Sequence, residues 1–153
     1  MEKIIFLDID GVLNVIPQGF DDYGAKFHKH FEDNLKWIIE QTEAKIVVSS
    51  TWRFRGLKIM KEMWSKRGLA GNVIDVTPDI DICERGKEIQ KWLDSNEVDS
   101  YVIIDDDTDM LESQMDNFVR TSENKEHKDC IDIGYGLTKI CSEKAVAILN
   151  NCN

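Results

Sequence analysis

Residues Ile4-Ile5-Phe6-Leu7 are four consecutive apolar residues that run directly into Asp8-Ile9-Asp10-Gly11. No other stretch of the chain limits its possible folds as strongly. A short apolar run closed by turn residues predicts a strand buried on both faces. Strands of that kind belong to parallel sheets covered on both sides. Two carboxylates cannot extend such a core. In open parallel sheets the C-terminal ends of the strands open into the crevice where ligands bind. Alternation along an extended chain puts Asp8 and Asp10 on one side, and Gly11 permits a sharp turn with positive φ. Two like charges this close repel, and a divalent cation is the simplest compensation.

The same construction recurs. The apolar run 44–48 ends in Ser49-Ser50-Thr51-Trp52-Arg53, and the run 101–104 ends in Asp105-Asp106-Asp107. A shorter strand at 73–76 is closed by Thr77-Pro78. Between them lie segments of helical period. These are 32–43 with Leu35, Ile38 and Ile39, 56–67 with Leu57, Met60 and Trp64, and 86–95 with Ile89, Trp92 and Leu93. A last helix over 139–150 carries Cys141, Ala145, Ile148 and Leu149 on one face, with Cys141 as a small core residue. Residues 108–136 are polar and irregular, with a short strand at 118–120. Strands alternating with helices predict an α/β fold with a parallel sheet. A length of 153 residues predicts one domain, 1–153. In such a sheet the strand ends at Asp8/Asp10, Ser49/Ser50 and Asp105/Asp106 lie along one edge and can converge.

Residues 14–31 mix Pro, Gly, aromatics and charge without period, and predict a loop of functional length. Phe20, Tyr23, His28 and His30 either line an entrance or pack on the loop's own scaffold.

Composition narrows the function classes. Apolar residues make up 42% of the chain, with four Trp and six Phe, which predicts a globular protein. A formal net charge of −10 disfavours extended contact with nucleic acid or anionic membranes. The four cysteines form no C-x-x-C pair and have no paired histidine spacing, which argues against a zinc site. No apolar run approaches the ~18 residues of a membrane span. Asp8 interrupts the first apolar run too early for a secretory signal. The expected location is cytoplasmic, with reduced thiols.

The run Asp8-Ile9-Asp10-Gly11-Val12-Leu13-Asn14 resembles motif I, D-x-D-G-[TV]-[LV], of the haloacid dehalogenase-like (HAD) phosphohydrolases. Three further motifs follow in order: Ile46-Val47-Val48-Ser49-Ser50 resembles motif II, Arg85-Gly86-Lys87-Glu88-Ile89-Gln90 motif III, and Val102-Ile103-Ile104-Asp105-Asp106-Asp107 motif IV. Ser49-Ser50-Thr51-Trp52-Arg53, with Gly136-Leu137-Thr138, is similar to the HAD domains associated with Swiss-army-knife RNA repair proteins.

The resemblance implies a Rossmann-like doubly wound sheet with a minimal cap, residues 14–31 forming the short cap or entrance loop. It implies a Mg²⁺-dependent phosphomonoesterase in which Asp8 is the nucleophile and Asp10 the general acid and base. Ser49, the backbone N–H of Ser50, and Lys87 would hold phosphate. Asp8, Asp10 through its carbonyl, Asp105 and Asp106 are the expected metal ligands, Asp105 before Asp106. Arg85 competes less well than Lys87 for the cationic role, and Asp107 and Asp109 stay unassigned. Asn14, Trp52 and Arg53 are candidate substrate contacts; equally, Trp52 packs and Arg53 neutralises a neighbouring carboxylate. The expected substrate is a nucleotide or nucleic-acid end, to which Arg53, Arg55 and Lys58 can offer charge. The alternatives are a small-metabolite phosphatase, a phosphotransferase, and a non-catalytic HAD-fold binding module.

Overall fold

The computed structural model describes residues 1–80, 84–123 and 135–151. Cys83, Cys130 and Cys152, and most of the polar segment after 123, lie outside the described residues. The chain begins with β1 (Glu2–Leu7), followed by a small hairpin of β2 (Phe20–Asp21) and β3 (Gly24–Ala25). Next come α1 (Lys29–Thr42), β4 (Lys45–Val48), α2 (Leu57–Lys66), β5 (Val73–Val76) and α3 (Arg85–Leu93). The described part closes with β6 (Val98–Asp105), β7 (Phe118–Arg120) and α4 (Lys139–Leu149). The main sheet has the order β5-β4-β1-β6-β7, and every pairing in it is parallel. This is a Rossmann-like α/β architecture with the aspartate-bearing β1 at its centre.

Side-chain alternation divides the core in two. Ile5, Leu7, Ile46, Val48, Val102 and Ile104 meet α1, α2 and α4 through residues such as Phe31, Leu35, Met60, Met63 and Leu149. Ile4, Phe6, Val47 and Ile103 point the other way, against Ile89 and Trp92 of α3. Phe6 meets the edges of Trp92 and Tyr101 at centroid distances of 5.3 and 5.9 Å, a geometry favoured by the ring quadrupoles. With both faces covered, each central strand is apolar at successive positions, which explains the uninterrupted runs in the sequence. Cys141 is fully buried among the core residues on the α4 side.

Three details differ from sequence expectation. β6 starts at Val98 because Val98 and Ser100 pair with Glu2 and Lys3 of β1. α1 starts at Lys29, where the His28 side chain accepts the His30 N–H as an N-cap. The 14–31 segment contains the β2–β3 hairpin, whose strands are too short to leave a period. It is held by tertiary bonds instead: Arg67 Nε and Nη2 donate to both oxygens of Asp21 at 2.9 and 2.7 Å. Among the described residues no helix is long and apolar enough to cross a membrane.

Candidate active site

The alternation that sorts the core continues past the strand ends. Asp8 follows Ile4 and Phe6, Ser49 follows Val47, and Asp105 follows Ile103, so all three turn toward the α3 face of the sheet. The ladder extends with them: Asp8 N–H donates to the Ile104 carbonyl at 3.0 Å and Ser49 N–H to the Leu7 carbonyl at 3.1 Å. Asp8 is 4% exposed and Asp105 0%. Carboxylate oxygens of Asp8, Asp105 and Asp106 lie within 4.8 Å of one another.

The cation among them is Arg85, the first residue of α3. One nitrogen, Nη1, lies 2.6 Å from Asp105 Oδ2 and 3.1 Å from Asp8 Oδ1. Burial and then the charge of Asp105 push the Asp8 carboxyl upward, against the pull of Arg85. Burial raises Asp105 as well, with Arg85 again opposing. Burial also disfavours the Arg85 charge, but Asp105 and Asp8 outweigh it and hold the guanidinium protonated.

The backbone is arranged to bring these groups together. Gly11 has φ +82°, and a Cβ there would overlap the Asp106 carboxylate. Only glycine combines that conformation with that approach. Thr121 Oγ1 donates to the Gly11 carbonyl and Ser122 Oγ to the Asp106 carbonyl, both at 2.9 Å. The start of α3 is anchored by Asp109, whose Oδ2 accepts the Arg85 N–H at 3.0 Å while its carbonyl accepts the Gly86 N–H at 3.0 Å. Gln114 Nε2 donates to the Gly86 carbonyl at 2.8 Å. Asp109 therefore places Arg85, and Asp107 donates its own N–H to Asp105 Oδ1 at 3.0 Å.

Other expected site residues stand as follows. Ser49 Oγ is buried without a hydrogen-bond partner. Ser50 Oγ accepts the Trp52 N–H at 3.2 Å and caps the 3₁₀ turn over Thr51–Arg55. The Asp10 carboxylate is exposed and lies outside the three-acid group. Its Oδ1 accepts from Asn14 Nδ2 at 2.8 Å and its Oδ2 from Trp52 Nε1 at 3.0 Å. Asn14 and Trp52 thus hold Asp10.

Lys87 and Arg53 are placed by ion pairs. Lys87 is half-exposed and pairs with Glu84 at 2.6 Å, away from the carboxylates. Helical period explains this: Arg85 precedes the buried Ile89 by four residues and shares its face, whereas Lys87 precedes it by two. For Arg53 the structure shows the second of the two readings, in which it neutralises a neighbouring carboxylate. It is 5% exposed and pairs with buried Glu88 at 2.9 Å. Its remaining nitrogens donate to the carbonyls of Ser49, Ser50 and Thr77, each at 3.1 Å. Arg53 therefore ties the ends of β4 and β5 to α3.

The donor set suits a hard divalent cation, being all oxygen with three carboxylates in reach. A central strand ending in a buried aspartate, flanked by a serine-bearing and a two-aspartate strand end, defines a HAD-type α/β hydrolase fold. The chain belongs to the family described as the HAD domain in Swiss Army Knife RNA repair proteins, whose model matches residues 4–126. No curated protein and no solved structure matches the chain significantly. Family membership points to a hydrolase-type function, and HAD proteins generally use Mg²⁺.

Proposed function

We propose that the protein is a Mg²⁺-dependent phosphomonoesterase that works through an aspartyl-phosphate on Asp8. The observation that carries this is the buried Asp8 carboxylate, set among Asp105, Asp106 and the Arg85 guanidinium. An Asp8 oxygen attacks phosphorus while the bond to the ester oxygen breaks. Asp10 gives its proton to the departing oxygen. Water then attacks phosphorus and passes a proton to Asp10, which releases phosphate and restores the Asp8 carboxylate. Arg85 and Ser49 Oγ stabilise the transferring phosphoryl oxygens. Asp8, Asp105 and Asp106, with the Asp10 carbonyl, would hold Mg²⁺, which when bound supplies further positive charge to those oxygens.

A nucleotide or nucleic-acid end is the substrate we favour. Among the described residues the 14–31 cap holds one small hairpin, and Phe20 and Phe54 stand 75% and 60% exposed, available to stack on bases. The family's association with RNA repair proteins supports the same choice. A net charge of −10 limits this to an end rather than a long polynucleotide, and by the same token favours a small phosphorylated metabolite as the second choice.

The test is phosphate release from p-nitrophenyl phosphate with and without Mg²⁺, comparing wild type with Asp8→Asn. Release should require Mg²⁺ and fall by about 10³-fold or more in the variant. Undiminished turnover by a folded Asp8→Asn protein would overturn the mechanism. Phosphorylated oligonucleotides and sugar phosphates, compared by kcat/KM, then rank the substrates.

A further inference from the structure

The exposed Asp10 carboxylate is held from two separate directions. Asn14, in the turn after β1, donates to Oδ1, and Trp52, in the 3₁₀ turn after β4, donates to Oδ2. An exposed aspartate would otherwise sample several rotamers. The indole that restrains it is itself fixed. The Trp52 backbone N–H is bound by Ser50 Oγ at 3.2 Å. Its ring packs on Phe27 at a centroid distance of 5.5 Å, and the Arg67 guanidinium lies 5.9 Å from the ring centroid. The hairpin closes over it so nearly that a Cβ on Gly24 would sit 3.6 Å from Trp52 Cη2. A ring confined in this way presents one N–H in one direction, and an indole N–H can only donate.

We propose that Trp52 is a positioning residue, whose indole N–H aims the Asp10 carboxyl at the leaving-group oxygen while Asn14 holds the second oxygen. The proposal rests on the phosphatase function above. It gives Trp52 a role other than stacking on substrate, and it makes the hairpin part of the proton-transfer geometry. An aligned acid matters most where the leaving group is a poor one, because the departing oxygen then needs its proton in the transition state.

The test is Trp52→Phe, which keeps an aromatic ring against Phe27 and removes the N–H. Phenyl phosphate and p-nitrophenyl phosphate share a ring but differ in leaving-group acidity. The variant should lose about tenfold more kcat/KM on phenyl phosphate than on p-nitrophenyl phosphate. In an Asp10→Asn background the same substitution should cause no further selective loss on phenyl phosphate. Equal losses on both substrates, or a raised KM with kcat unchanged, would overturn the proposal and leave Trp52 a packing or substrate-stacking residue. A selective loss that persists without the Asp10 carboxylate would overturn it too. Wild-type protein that releases no phosphate from either ester, from phosphorylated oligonucleotides or from sugar phosphates would remove the phosphatase function and this role together.

Discussion

Arg85 meets Asp8 and Asp105 through a single guanidinium nitrogen, at 3.1 and 2.6 Å. Two buried carboxylates this close are tolerated when one is protonated or when positive charge lies between or beside them. Arg85 is the cation that meets both acids, and the proposed activity should depend on it. Arg85→Ala should lower kcat/KM by about 10²–10³-fold, while Lys87→Ala should stay within about threefold of wild type. Steady-state kinetics on one aryl phosphate checks both, and a larger loss at Lys87 would show that it swings inward on binding substrate. The acids of motif IV are legible in the sequence because an apolar strand feeds them into a turn. The choice of Arg85 over Lys87 was legible only in the spacing to Ile89. Motif order pointed to the lysine; the rotation of α3 about its own axis points to the arginine.

At the scale of elements, the β2–β3 hairpin is the least predictable part of the fold, and it packs against Trp52, the indole bonded to Asp10. Its strands are two residues long, so it depends on the bidentate Arg67–Asp21 pair and on the Asp21 Oδ1 bond to the Tyr23 N–H. Hydrogen bonds from Arg67 are the chief reason that the Asp21 carboxyl is lowered to about 2. A carboxyl lowered in the folded state stabilises it above the unfolded pKa, and that contribution is lost as the pH falls through the folded one. The difference in Tm between wild type and Asp21→Asn should therefore be full above about pH 4 and close as the pH approaches 2. Thermal melts of both proteins across that range provide the check, and a gap independent of pH would mean the charge of Asp21 is not what secures the hairpin.

Across the whole molecule, the fold gathers acids from strand ends far apart in sequence into one group, with Asp8 and Asp105 buried and Asp106 half-buried. Burial raises both Asp8 and Asp105. A carboxyl raised in the folded state favours folding at low pH, and that advantage is lost as the pH rises through its folded value. The metal-free protein should accordingly become less stable as the pH rises beyond the ordinary carboxylate range. Mg²⁺ needs the ionised acids, so its stabilising effect should grow over the same interval. At a hundred times its Kd the ion contributes about 2.7 kcal/mol, or about 5–10 °C in Tm for a chain of this size. The shift should be larger at pH 8 than at pH 5 and disappear in Asp105→Asn. A Tm indifferent to Mg²⁺ at both pH values would show that the three acids do not hold it.

The sequence by itself determined the strands of the main sheet, their alternation with helices, and the placing of polar residues at three strand ends, because period and turn chemistry act over a few neighbouring residues. Asp8, Asp105 and the fully buried Ser49 belong to that part. Tertiary structure decided the partners. Trp52 reaches Asp10 across 42 residues of chain, and Arg53 pairs with Glu88 and three carbonyls. Which groups meet depends on the order of strands in the sheet and on the rotation of each helix against it. Both are set by the packing of the two cores as a whole.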